Sequence, residues 1–175
     1  MLLSHESVTI RNAKSADAPL LARWWNDGKV MAHAGFPMGL NTTAEKIADS
    51  LKTDTDDTRR RLILEFENTP IGEMNYRNTG NGECEIGVKI CEFSHQEKGI
   101  GRKALSLLID ALFDMGYTKI NLDTNLTNTR AQHVYELLGF RKTGVRYDSW
   151  RDQLGNLQSA VDYELTKENF RSFLE

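Results

Sequence analysis

The run Gln96-Glu97-Lys98-Gly99-Ile100-Gly101-Arg102-Lys103-Ala104 places two glycines where a loop passes into an amphipathic helix. The first N–H groups of a helix are free and lie at the positive end of its macrodipole, and glycine lets a phosphate come close to them. The chemistry on offer is anion binding, with Arg102 and Lys103 as added cations in the first turn. Three carboxylates, Glu73, Glu85 and Asp123, fall in alternating stretches, and each has the chemistry to take a proton from a nucleophile. Tyr135 shares a helix face with Ala131, Val134 and Leu138, a spacing that core packing alone would explain. His5, His33, His95 and His133 show no ligand spacing with one another or with Cys84 and Cys91, so no metal is expected.

The glycines alone do not say whose phosphate is bound. A P-loop is excluded, because no Lys-Ser/Thr pair follows the second glycine. Gly99-Ile100-Gly101-Arg102-Lys103-Ala104 formally fits the dinucleotide fingerprint, and Asp123 ends a strand at about the expected distance. That fingerprint needs a strand running straight into its first glycine. Here the polar segment Glu92 to Lys98 intervenes.

The elements that must position these residues follow from periodicity. Val8 to Lys14 alternates as a strand, and Ser15 or Asp17 caps a helix with Leu20, Leu21, Trp24 and Trp25 on one side, ending at Gly28. Lys29 to Leu40 mixes Gly35, Pro37 and Gly39 with Val30, Met31, Phe36 and Met38, an apolar loop that should cover something. Thr42 and Glu45 form a capping box for a second helix to about Thr53, with Ile47 and Leu51 inward. Arg61 to Glu67 and Ile71 to Arg77 read as a hairpin about Asn68-Thr69-Pro70, and Glu83 to Ile90 as the next strand. After the glycines, Ala104, Leu105, Leu108, Ala111, Leu112 and Met115 form one apolar stripe, stopped by Gly116. Thr118 to Asn125 is a strand, Thr129 to Leu138 a helix stopped by Gly139. Phe140 to Arg151 and Leu157 to Lys167 pair about Leu154-Gly155-Asn156.

At 175 residues and a formal net charge of -3, the chain fits one domain with one large core, and its basic residues are scattered apart from Arg59, Arg60 and Arg61. No nucleic-acid footprint is evident. Cys84 and Cys91 are an odd number of positions apart in one extended stretch, so they face opposite ways and no disulfide joins them. The opening Met-Leu-Leu is too short for a signal-peptide core, and no apolar run approaches the ~20 residues of a membrane span. A cytoplasmic protein is expected.

Two segments carry a resemblance. Gln96-Glu97-Lys98-Gly99-Ile100-Gly101 is similar to the Q/R-x-x-G-x-G/A motif of the GNAT superfamily of N-acetyltransferases, whose backbone amides hold the pyrophosphate of coenzyme A. Asn128-Thr129-Arg130-Ala131 with Tyr135-Glu136-Leu137-Leu138-Gly139-Phe140 resembles that family's N-x-x-A-x-x-x-Y-E-x-x-G-F segment. The likeness spans Val8 to about Leu165. Glu85-Ile86-Gly87, and Trp150 near Asp152, resemble the branch that holds ribosomal-protein alanine acetyltransferases and aminoglycoside 6'-acetyltransferases. In one respect the chain departs: from Glu85-Ile86-Gly87 to Gln96 the spacing is one residue longer than the common form, and the frequent proline is absent.

The resemblance implies an α/β (α+β) fold in a single domain over residues 1–175, with a mixed, mostly antiparallel sheet of about seven strands and helices on both faces. It implies an enzyme that moves the acetyl group of acetyl-CoA to a primary amine, either a protein N-terminus or a small polyamine or aminoglycoside. Coenzyme A would be held by Lys89, Ile90 and Cys91, by Gln96, Lys98, Gly99, Ile100, Gly101 and Arg102, and by Asn128 and Tyr135. Tyr135 would be the acid that protonates the departing thiolate. A backbone N–H at Ile90 or Cys91 would meet the oxyanion. Glu85 is the first choice of base, with Glu73 and Asp123 open beside it, and Trp25, Phe36 and Glu73 would face the acceptor. A homodimer is allowed. A non-catalytic acyl-CoA-binding regulator and a dinucleotide-binding protein are the alternative readings.

Overall fold

A computed structural model describes all 175 residues. The chain forms one eight-stranded sheet in the order β1-β2-β3-β4-β5-β6-β8-β7. Its strands are β1 (Leu2–His5), β2 (Val8–Asn12), β3 (Arg59–Phe66), β4 (Thr69–Gly80), β5 (Glu83–Ile90), β6 (Lys119–Asn125), β7 (Arg141–Arg151) and β8 (Leu157–Thr166). The helices are α1 (Ala18–Trp25), α2 (Gly28–Met31), α3 (Ala44–Leu51), α4 (Ile100–Asp114) and α5 (Thr129–Leu137). The count exceeds the expected seven strands by β1, a four-residue edge strand whose side chains alternate only between exposed and half-buried, with none in the core. No helix is long and apolar enough to cross a membrane.

All neighbours pair antiparallel except β5 and β6, which are parallel and joined through α4. Those two strands pair only over Glu83–Glu85 with Lys119–Asn121. Beyond that point β5 stays with β4 as far as Ile90, while β6 stays with β8 as far as Asn125. The sheet therefore opens into a wedge, and a direct passage of β5 into Gly99 is ruled out by a 3-10 turn at Phe93–His95. The doubly wound order that a dinucleotide fold requires is absent.

Helices cover both faces. One core joins β-strand residues such as Leu64, Met74 and Ile120 to α4 and α5; the other packs Leu21, Trp24, Ile47 and Leu51 of α1 and α3 on Ile63. Cys84 lies in the first core and Cys91 in the second, so the two thiols face opposite ways and stay free. Burial pushes the Cys84 thiol up to about 12.

α4 is buried more completely than a single stripe predicts. Leu107, Ile109 and Phe113 join the core, whereas Met115 is 46 % exposed. The C-terminal segment supplies the extra cover: Phe170 and Phe173 pack against the α4 core, and the Phe173 amide donates to the buried Ser106 Oγ at 3.0 Å. Ser106 in turn donates to Arg102 O at 2.8 Å, which satisfies its hydroxyl inside the core.

Several boundaries move. α1 stops at Trp25 with Asn26 as C-cap, and Gly28 opens α2 rather than ending α1. No side chain is tolerated there, since a Cβ on Gly28 would lie 2.0 Å from Pro37 O. The cap of α3 is Thr43, whose hydroxyl accepts from the Lys46 amide at 3.3 Å, one residue later than the capping-box reading. The hairpin turn between β3 and β4 is Glu67-Asn68, both at positive φ, so Thr69 and Pro70 already belong to β4.

Candidate functional site

The wedge between β5 and β6 is a cavity of about 990 Å³. Its floor is β5 from Ile86 to Ile90 and β6 from Leu122 to Asn125; one end is bounded by Gln96 to Leu105 and α5, the other by Lys29, Val30, His33, Ala34 and Trp150.

Strand register decides which backbone groups face it. The Cys91 amide donates to Ile71 O at 2.8 Å, so this pair is hydrogen-bonded across β4 and β5. Backbone groups alternate in direction along an antiparallel strand, so those of Val88 and Ile90 turn away from β4, toward the wedge. Ile90 O is taken by Gln96 Nε2 at 2.9 Å, which leaves the N–H groups of Val88 and Ile90 facing the opening. The expectation of an open amide thus holds geometrically at Ile90 and fails at Cys91.

Gly99 is the N-cap of α4 with φ +75, a conformation that L side chains rarely adopt. The N–H groups of Gly99, Ile100, Gly101 and Arg102 have no backbone acceptor, as the first turn of a helix dictates. Arg102 stands over the Phe173 ring, 5.0 Å from its centroid. Across the wedge, Asn128 caps α5 by accepting from the Ala131 amide at 3.3 Å. Arg130 reaches back to the cradle loop, donating to Gln96 Oε1 and Glu97 Oε1, both at 2.8 Å. These unpaired amides, with two arginines beside them, are a fitting seat for a diphosphate.

Tyr135 is 7 % exposed, held between the edges of Phe140 and Tyr163 at centroid distances of 5.9 and 5.8 Å. It lines the cavity, and its hydroxyl makes no hydrogen bond within the protein. Burial first, then the Asp123 charge, pushes the phenol up to about 12, so it is protonated at neutral pH and free to donate.

Of the residues singled out in the sequence, Lys89, Ile90, Gln96, Gly99, Gly101, Arg102, Asn128 and Tyr135 line the cavity. Cys91, Lys98, Ile100, Trp25, Phe36, Glu73 and Glu85 do not. Glu85 projects from β5 into solvent, where Arg77 Nη2 donates to it at 3.3 Å, because odd positions there face away from α4 before the wedge opens. Glu73 sits behind Lys89: its carboxylate accepts from Lys89 Nζ at 3.3 Å and from Trp25 Nε1 at 2.9 Å. Trp25 is thereby occupied as well. Ile100 is buried under the helix start, and Phe36 is 38 % exposed on the covering loop, outside the cavity lining.

Sequence reasoning passed over Lys29, His33, Val88, Glu97 and Arg130 as site residues. Arg130 stood inside the quoted Asn128 motif; Val88 follows from strand parity once β4 is placed. The apolar loop does cover the wedge. Its fastening is Gln153, whose amide donates to Gly35 O at 2.8 Å, whose Nε2 donates to Gly39 O at 2.9 Å, and whose Oε1 accepts from the Met38 amide at 2.8 Å. Gly35 lies flat on Trp150, so close that a Cβ would sit 2.4 Å from its ring.

Comparison with known proteins adds a lineage to this geometry. Residues 7–141 match the sequence model of the acetyltransferase (GNAT) domain. The chain is 30% identical over 158 residues to aminoglycoside N(6')-acetyltransferase type 1 of Klebsiella pneumoniae, covering 81% of this chain and 78% of the relative. The fold superimposes on spermidine N-acetyltransferase from Vibrio cholerae, solved with CoA and spermine, with a TM-score of 0.81 at 20% identity, covering 94% of this chain and 98% of that one. A ribosomal-protein-alanine N-acetyltransferase from Brucella melitensis gives 0.76 at 20% identity, with 90% and 98% covered.

Proposed function

This chain belongs to the GNAT acetyltransferase family, and from that membership we propose that it transfers the acetyl group of acetyl-CoA to a primary amine by direct attack in the wedge between β5 and β6. The observation that carries the reading is the meeting, in one cavity, of a glycine-capped helix start, unpaired β5 amides and an unpartnered tyrosine hydroxyl.

Acetyl-CoA, when bound, supplies an activated thioester whose acyl oxygen gains negative charge under attack. The free N–H groups of Gly99 to Arg102 hold the diphosphate, with Arg102 and Arg130 beside it. The Ile90 or Val88 amide meets the acyl oxygen; such donors are fixed before reaction and pay no reorganisation at the moment charge develops. Tyr135 donates to the leaving sulfur. A phenol at about 12 is a weaker acid than a thiol near ~8.5, so its part is a hydrogen bond that stabilises the thiolate rather than a completed proton transfer.

For the amine's proton, Asp123 is the remaining choice among the three carboxylates, since it lines the cavity while Glu73 and Glu85 do not. Its Oδ2 accepts from Arg146 Nη2 at 2.9 Å, which orients the carboxylate. Thiol release on mixing the protein with acetyl-CoA and a panel of amines tests the proposal. Turnover with at least one amine is expected. Tight coenzyme binding with no turnover for any amine would favour the non-catalytic regulator instead.

A further inference from the structure

The acceptor end of the cavity is not acidic. Its charged lining residues are Lys29, Lys89 and Asp123, with His33 and Trp150 beside them. Two of the three charges are already matched: Lys89 by Glu73 at 3.3 Å, and Asp123 by Arg146 at 2.9 Å. Lys29 is the exception. Its backbone amide donates to the Asp27 carboxylate that caps α2, and its ammonium belongs to none of the ion pairs that tie up the other two charges. Phe36, Met38 and Leu154, 38 %, 71 % and 58 % exposed, lie outside the lining on the segments that Gln153 holds together.

Resting on the acetyl-transfer reading above, we infer that the acceptor is a monoamine that carries a carboxylate near its amino group, and that Lys29 receives that carboxylate. A polyamine or aminoglycoside brings further ammonium groups, and these would meet Lys29, while the one carboxylate lining this end, Asp123, is already shared between Arg146 and the attacking amine. An anionic group reverses the sign. The same cation favours the neutral form of the attacking amine, because a like charge nearby disfavours an ammonium. Asp123 then serves the amine's proton and Lys29 the acceptor's anion, while Lys89 stays paired with Glu73. Two sources share this chemistry: a free amino acid, and a peptide N-terminus followed by acidic residues.

The test compares acetyl-CoA-dependent thiol release for free aspartate, Ser-Asp-Asp amide, Ser-Lys-Lys amide and spermidine. We expect kcat/KM for aspartate or the acidic peptide to exceed that for both cationic amines at least tenfold, and whichever of the two leads identifies the source. Lys29→Glu should narrow or invert the preference at least tenfold with coenzyme A affinity unchanged, and Lys29→Met should fall between. Preference for spermidine or the lysine peptide, or a ratio indifferent to both substitutions, overturns the inference. If no amine is turned over, the acetyl-transfer reading fails separately, and calorimetric binding of the same four amines to the coenzyme-loaded protein decides. Tighter binding of the acidic pair supports the carboxylate site; tighter binding of the cationic pair, or no binding of either, refutes it.

Discussion

Arg130 donates to Gln96 at 2.8 Å across the mouth of the wedge, while the other end of the same amide holds Ile90 O at 2.9 Å. A single side chain thus ties the free end of β5 to the start of α5, the two walls that nothing else in the sheet connects at that point. Arg130 is also paired with Glu97 at 2.8 Å, a contact exposed to water.

The pairing makes a prediction for coenzyme binding. A diphosphate in the cradle competes with Glu97 for the Arg130 guanidinium, and phosphate offers the stronger, bidentate partner. Arg130→Ala should weaken coenzyme A binding on the order of tenfold, the worth of one charged hydrogen-bond pair. Glu97→Gln should strengthen it, because the guanidinium is released. Calorimetric titration with coenzyme A reads both, and the same direction of change in the two variants would contradict the competition.

Tyr135→Phe removes a hydroxyl that has no partner inside the protein, so stability should hardly change. Turnover should fall on the order of 10²-fold, the low end of what one preorganised hydrogen-bond donor to developing negative charge contributes. Coenzyme affinity should stay within a factor of about two, since the ring keeps its packing on Phe140 and Tyr163. Undiminished turnover would make this tyrosine a core residue and nothing more.

Gln153 offers a separation of binding from chemistry. Its side chain bonds both the Met38 amide and Gly39 O, so Gln153→Ala frees a loop that walls only the acceptor end. Two lost hydrogen bonds at about 1 kcal/mol each should raise the amine KM by up to roughly thirtyfold. The dissociation constant of coenzyme A should not move. A matching loss of coenzyme affinity would show that the loop supports the whole cavity.

How much of this was legible in the sequence depends on whether the signal was local. β5 was read to the residue, and the stops at Gly116 and Gly139 hold because both glycines adopt positive φ. The glycine start of α4 and the Asn128 cap of α5 are contiguous motifs, and both helices begin where those motifs lie. The direction of Glu85 did not, because whether a strand residue faces a cleft depends on where two strands part, and no local pattern encodes the last paired residue. Glu73 and Trp25 bond each other instead of lining the cavity, a pairing between β4 and α1 that no local pattern encodes. The cover over α4 was missed for the same reason: Phe170 and Phe173 lie far along the chain, and their partner is set by the tertiary path of the C-terminal segment.

The last prediction concerns stability and lies away from the cavity. Asp54 follows α3 and reaches β3, accepting from the Arg61 amide at 2.8 Å and from Arg61 Nη2 at 2.7 Å, while Arg61 Nη2 also donates to Ser50 O at 2.6 Å. The two side chains are 3 % and 14 % exposed for Asp54 and Arg61. Burial alone would raise the carboxyl, but the bonds from Arg61 and the charge of Arg59 outweigh it and hold Asp54 below the usual range. A group whose folded pKa is depressed contributes stability above its unfolded value, ~3.9 for Asp, and loses that contribution as pH falls through the folded value. Asp54→Ala should therefore cost about 3 kcal/mol at pH 7, the scale for stranding one partner of a buried pair. The gap between wild type and variant should shrink as pH drops below about 4, where the unfolded carboxyl takes up its proton. Urea unfolding of both proteins at pH 7, 5 and 3.5 measures it, and a gap that stays constant across the series would mean that Asp54 acts through its shape and not its charge.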